Sequence, residues 1–185
     1  SKALASRLGA LPMASMETFR YTNDQLGYFL ARIKESALSE KTIVVATGDH
    51  AVRGLEYTEQ EALHQISVPL YFYLPKRFEP EVAEGATDSV ASHKDVMPTL
   101  YHLALSDARY PNLGRNLFAK TDLRGPHNFA YHSDYLVVGD RVYGLVGPKG
   151  QRAFWRRQGL DMISGPVAES SVNYERAEQY SKILD

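Results

Sequence analysis

The run Thr42-Ile-Val-Val-Ala-Thr-Gly-Asp-His50 constrains what this chain can fold into more than any other stretch. Ile43 to Ala46 are apolar without a break and three of them are β-branched, which predicts a strand covered on both faces. Strands of that kind belong to helix-covered, mostly parallel sheets, whose ligands bind outside the carboxyl ends of the strands. Gly48, Asp49 and His50 stand at that end. A carboxylate beside an imidazole suits a divalent cation such as zinc, manganese or iron, and Gly48 lets the backbone turn without a Cβ clash. The competing reading is a plain Gly-Asp turn followed by an ordinary loop histidine.

Upstream, Phe19, Leu26, Leu30, Ile33 and Ala37 recur at helical spacing from Ser15, predicting an amphipathic helix that ends near Leu38 and covers the first strand. Residues 1–14 show no period. Gly27 lies inside the helix, where it weakens the backbone and is expected to permit close packing on the sheet. Arg20 and Asp24, four apart, are expected to pair on its solvated face. Downstream, the loop Ala51-Val-Arg-Gly-Leu-Glu-Tyr57 carries Arg53. Its guanidinium is placed either to hold an anionic oxygen in bidentate fashion or to pair with Glu56 on the surface. A polar, helical stretch from Thr58 to Gln65 precedes a second strand, Val68-Pro-Leu-Tyr-Phe-Tyr-Leu74, with Pro69 near its start. Residues 76–89 read as a surface loop with Val82 as a minor anchor.

Ser92-His-Lys-Asp-Val-Met-Pro-Thr-Leu-Tyr-His-Leu-Ala-Leu105 is predicted to be a helix capped by Asp95. That cap puts Pro98 in the first turn, where its missing N–H costs nothing, whereas a cap at Ser92 would bury Pro98 in the helix interior. Val96, Leu100 and Leu103 form the expected buried stripe, and His93 falls on the loop before the helix. Further on, Tyr135-Leu-Val-Val138 and Arg141-Val-Tyr-Gly-Leu-Val146 flank Gly139-Asp140, a pair suited to a type II′ hairpin. A turn at 147–150, a third strand from Gln151 to Trp155 and a terminal helix from Ala168 to Leu184 complete the expected order. His127, His132 and Asp134 are close in sequence, but no regular face gathers them, so packing is favoured over a metal site. The expectation is one domain over 1–185, with an α/β part at 1–118 and a β-rich extension with a terminal helix at 119–185.

Composition narrows the partners. The chain has 185 residues, net charge −1 and no cysteine. There is no basic surplus to neutralise a nucleic acid backbone, no thiolate metal site, no cysteine nucleophile and no disulfide. No apolar run approaches the roughly 20 residues that span a bilayer, and Ser1-Lys-Ala-Leu lacks the apolar core of a signal peptide. The expectation is a soluble piece cut from a longer polypeptide.

Three blocks, in order, resemble the sulfatase-like branch of the alkaline phosphatase superfamily, nearest to the lipoteichoic acid synthase and phosphoglycerol transferase family. They are Arg20-Tyr-Thr-Asn-Asp-Gln-Leu-Gly27 leading to Lys41-Thr-Ile-Val-Val-Ala-Thr-Gly-Asp-His50, then Val68-Pro-Leu-Tyr-Phe-Tyr73, then Ser92-His-Lys-Asp-Val-Met-Pro-Thr-Leu100. The likeness covers roughly residues 16–118 and matches the C-terminal half of that catalytic domain. It implies that Asp49 and His50 are two ligands of a divalent metal, with manganese expected and magnesium, zinc or calcium as alternatives. It also implies that Arg53 contacts an anionic phospho- or sulfo-ester substrate. His93 is implied to bind the substrate's anionic head or a second metal. The nucleophile and remaining ligands are expected in an N-terminal half upstream, beyond a membrane anchor, with the catalytic domain outside the cytoplasm. No Cys/Ser-x-Pro-x-Arg signature occurs here, so the chain alone is expected to be inactive, with weak metal affinity. Sulfate-ester hydrolysis and a non-catalytic module that keeps the fold are the alternatives. A Ser-His-Asp hydrolase is disfavoured because no G-x-S-x-G elbow is present.

Overall fold

The computed structural model describes residues 11–78, 90–105, 109–119, 127–144 and 154–163, together with Gln179 and Lys182. The fold is mixed α/β, and the chain packs as two compact units, 1–79 and 80–185. The expected internal division lay at 118.

The first unit opens with helix α1, Met13–Lys34, whose C-terminal turn carries Arg32 and Lys34, cations that favour the negative end of the helix dipole. It begins two residues before the expected start and ends before Leu38, the chain continuing in turns to Lys41. Among the described residues it buries no side chain, which corrects the expectation of a covered face. Leu26, Leu30 and Ile33 are half-buried, and Phe19 and Ala37 are exposed. Gly27 meets no neighbour within 4 Å of a built Cβ, so close packing does not explain it. Arg20 and Asp24 do approach, at 3.9 Å in solvent.

Strand β1, Val44–Thr47, pairs with β2, Leu70–Tyr73, in the register Val44↔Tyr73 to Thr47↔Leu70. This pair is antiparallel, not parallel as the apolar run suggested, and its residues are half-buried or, at Thr47 and Tyr71, exposed rather than fully covered. Residues 48–69, which contain a single 3₁₀ turn, Glu59–Glu61, and the five-residue helix α2, Ala62–Ile66, leave β1 and enter β2 at the same Thr47 end. Thr58 and Glu61 form a capping box at the start of this turn, with the Thr58 N–H donating to the Glu61 carboxylate at 3.1 Å.

In the second unit a 3₁₀ turn, His93–Asp95, leads into helix α3, Val96–Ala104. Asp95 is the N-cap residue of α3 and Pro98 falls in the first turn, as expected, but the Asp95 carboxylate makes no bond to the helix. Ser92 caps the preceding 3₁₀ turn instead. That extra turn accommodates a cap at Ser92 without placing Pro98 in the helix interior. The buried residues of α3 are Pro98 and Thr99, while Val96, Leu100 and Leu103 are half-buried. Residues 110–118 strap along this helix: Tyr101 and Tyr110 meet edge to face at 4.6 Å, and the Thr99 hydroxyl accepts the Leu117 N–H at 3.0 Å.

A five-stranded antiparallel sheet follows, ordered β3-β4-β5-β6-β7. Its strands are β3 Ala130–Tyr131, β4 Tyr135–Val138, β5 Arg141–Gly144, β6 Phe154–Gln158 and β7 Asp161–Ile163. The hairpin at Gly139-Asp140 forms where expected, Gly139 adopting φ +60. The third expected strand is displaced toward Gln158, and β3 and β7 were not anticipated. Phe129, Leu136 and Tyr143 form a core cluster on one face of the sheet. Val142 and Met162, on the other face, are buried as well, as the continuous apolar runs require. The Val82 anchor, the 147–150 turn and most of the 168–184 helix lie outside the described residues; Gln179 and Lys182 are helical.

Two glycines test this packing with opposite signs. Gly27→Ala is expected to stabilise α1 by about 1 kcal/mol, seen as a higher denaturation midpoint by circular dichroism. At Gly114 a Cβ would run into the Lys94 carbonyl oxygen and lie 2.9 Å from Pro98 Cγ. Gly114→Ala is expected to cost about 1–3 kcal/mol in the same measurement.

Candidate metal and substrate site

The carboxyl end of β1 delivers Gly48, Asp49 and His50. A Cβ at Gly48 would sit 3.2 Å from the Val68 side chain just before β2, close enough that Val68 would have to shift by a few tenths of an ångström. The Asp49 carboxylate accepts the His50 backbone N–H through Oδ1 at 2.9 Å, which leaves Oδ2 facing outward. The His50 ring is held from its other side: Nδ1 lies 2.8 Å from the Ala51 carbonyl oxygen. A carbonyl only accepts, so Nδ1 carries a proton; in a neutral imidazole the lone pair is then on Nε2. Nε2 and Asp49 Oδ2 are 3.7 Å apart, with the two side chains 50% and 90% exposed.

That geometry fits one cation. A separation of 3.7 Å is within twice a metal–ligand bond of about 2.1 Å, so the spacing is compatible with a single shared ion. A backbone carbonyl orienting the non-ligating nitrogen is the usual support for a ligating histidine. The set holds two donors, and no group of three or more His, Asp or Glu suited to a metal occurs among the described residues. A nitrogen and a carboxylate oxygen suit borderline to hard divalent ions.

Arg53 lies on the same loop, on a bend closed by Gly54 at φ +85, with its side chain exposed. His93 belongs to the second unit, exposed on the 3₁₀ turn before α3. The histidines near the sheet have local tasks. His127 Nδ1 donates to the Leu113 carbonyl at 3.2 Å. His132 Nδ1 accepts the Asp134 N–H at 3.2 Å inside the three-residue β3–β4 connection, 132–134.

Beside His93 lies a cluster that sequence reasoning passed over. Asp95 is fully buried, and its carboxylate accepts from the Ser92 N–H at 3.0 Å, the Lys94 ammonium at 2.7 Å and the Arg115 backbone N–H at 2.9 Å. Lys94 also donates to the His127 carbonyl at 3.1 Å and stands over the Phe129 ring at 4.3 Å. Burial pushes the Lys94 ammonium below its ordinary pKa, against the opposing pull of Asp95. The adjacent Lys94-Asp95 charges inside an otherwise apolar helix start were the available signal.

Residues 13–106 match the Sulfatase family model. The chain belongs to the sulfatase family. Within the matched segment lie Asp49, His50, Arg53 and His93. The chain is also similar to lipoteichoic acid synthase 1 of Bacillus subtilis (strain 168), at 28% identity over 117 residues. That alignment covers 56% of this chain and 18% of the relative, so the chain spans about a fifth of the length of the curated relative it matches. No solved structure gives a significant match. Among the described residues no helix is long and apolar enough to cross a membrane.

The Lys94 environment sets a pH dependence. A lysine whose folded pKa is lowered binds fewer protons folded than unfolded between that pKa and the ordinary value near 10.5. Stability therefore rises with pH across that window. Relative to Lys94→Met, the unmodified chain is expected to gain stability as pH is raised toward 10.5, measured by urea unfolding of both proteins.

Proposed function

We propose that this chain is the C-terminal part of a metal-dependent sulfatase-family enzyme that transfers or hydrolyses phosphoglycerol- or phosphoethanolamine-type phosphodiesters. The observation that carries the reading is the Asp49–His50 pair, with Oδ2 and Nε2 3.7 Å apart and each side chain oriented by the backbone, inside the family-matched segment. Asp49 and His50 hold a divalent cation, manganese by preference, with magnesium, zinc or calcium as alternatives. When bound, such an ion supplies Lewis-acid stabilisation of phosphoryl oxygens and lowers the pKa of an attacking hydroxyl. The remaining ligands and the nucleophile come from an upstream half of the catalytic domain.

The residues of this chain then divide the work. Asp49 brings negative charge and His50 a neutral nitrogen, fixed in its Nδ1–H form by the Ala51 carbonyl. Arg53, exposed on the following loop, offers a planar pair of donors to the ester's anionic oxygens. His93 binds the anionic head of the substrate. The likeness to a lipoteichoic acid synthase supports a phosphodiester substrate, a membrane anchor upstream and an extracytoplasmic site. The family's description supports sulfate-ester hydrolysis as the second reading.

The complete catalytic domain, assayed with manganese against phosphodiester, phosphomonoester and sulfate-ester substrates, separates these readings. Phosphodiester turnover is expected, lost on chelation and restored by manganese. Asp49→Ala and His50→Ala are each expected to lower kcat/KM by on the order of 100-fold or more. Turnover restricted to sulfate esters would favour the second reading, and full activity of Asp49→Ala would remove the metal role from this pair.

A further inference from the structure

The proposal concerns how His93 is held, and it rests on the reading of His93 as a substrate contact. His93 occupies the first position of a one-turn 3₁₀ helix. A single turn of this kind has little stability of its own, because nucleating a turn fixes several dihedrals for one hydrogen bond. Here every flank of the turn is tied to buried structure. The Ser92 N–H donates to Asp95 Oδ2 at 3.0 Å, and the Ser92 hydroxyl oxygen accepts the Tyr131 N–H at 3.3 Å, which joins the turn to β3. Asp95 Oδ1 takes the Arg115 backbone N–H and the Lys94 ammonium, and that ammonium reaches the His127 carbonyl. The His93 carbonyl itself accepts the Val96 N–H at the entry to α3.

The contrast in exposure gives this arrangement a direction. Asp95 is fully buried and the Lys94 side chain is 6% exposed, whereas His93, between them and Ser92, faces solvent. A buried carboxylate and ammonium are costly to desolvate and are often replaceable by apolar residues without loss of stability. A pair that spans three separate backbone segments while leaving its neighbour's imidazole outside fixes geometry that an apolar pair would not. We propose that Asp95, bridged to Lys94 and to the Ser92 and Arg115 amides, is a positioning residue that sets the backbone of the 93–95 turn and thereby the placement of the His93 imidazole against the substrate's anionic head.

A double-mutant cycle on the complete catalytic domain tests this, with kcat and KM measured for a phosphodiester substrate and folding checked by thermal unfolding. His93→Ala is expected to raise KM about tenfold with little change in kcat, the loss of one charge-assisted contact. Asp95→Asn, which keeps the shape but weakens the bridge, is expected to raise KM by a similar factor. Because Asp95 acts through His93, the double variant is expected to match either single variant rather than their product. Ser92→Ala, which removes the tie to Tyr131, repeats the cycle should Asp95→Asn fail to fold. Effects that multiply, or a folded Asp95→Asn or Ser92→Ala with unchanged KM, would overturn the positioning role. An unchanged His93→Ala would overturn the substrate contact itself, which separates the two failures.

Discussion

The buried carboxylate of Asp95 is the interaction on which the second unit depends. A carboxylate removed from water has to be matched by donors, and here the donors come from different parts of the chain: the Ser92 amide, the Lys94 ammonium and the Arg115 amide. Meeting that requirement draws residues 110–118 onto α3. It also forces Gly114, next to Arg115, so close to the Lys94 carbonyl that no side chain fits. Thr99 reinforces the same junction, its hydroxyl donating to the Asp95 carbonyl at 2.7 Å and accepting the Leu117 amide.

The first unit is organised differently, by direction rather than by charge. Its strands meet at the Thr47 end, and the whole connection that carries Asp49, His50, Arg53 and α2 gathers at that one edge. The Asp49–His50 pair is consequently oriented by its own backbone, through the His50 amide and the Ala51 carbonyl. That local orientation suits the metal site proposed for this pair, in which further ligands would come from another segment.

What could be seen in the sequence follows from how far each interaction reaches. The strand ending at Thr47, the helix before it and the Gly139-Asp140 hairpin are set by neighbours within a few residues, so local pattern was enough. The direction of β2 was not, because an apolar run reports burial and not the sense of its partner. The face of α1 misled for a related reason: helical spacing of Phe19, Leu26 and Ile33 marks a surface suited to burial without saying what lies on it. Asp95 was recognised as a cap, yet its partners stand up to 20 residues away, and those of Lys94 reach 33 residues away. No local period announces such ties.

Arg157 shows how one side chain can govern a whole sheet. Its Nε donates to the Gly139 carbonyl at 2.6 Å and its Nη1 to the Gly159 carbonyl at 3.0 Å, so it spans the tips of the β4–β5 and β6–β7 hairpins. Both tips turn on a glycine with positive φ, at Gly139 and Gly159. A slip of either hairpin by one residue would carry Val142 or Met162 from the interior to the opposite face, and it would also tear a tip away from the guanidinium. The two hairpins are therefore geared together: neither can change its alignment while the other keeps its own.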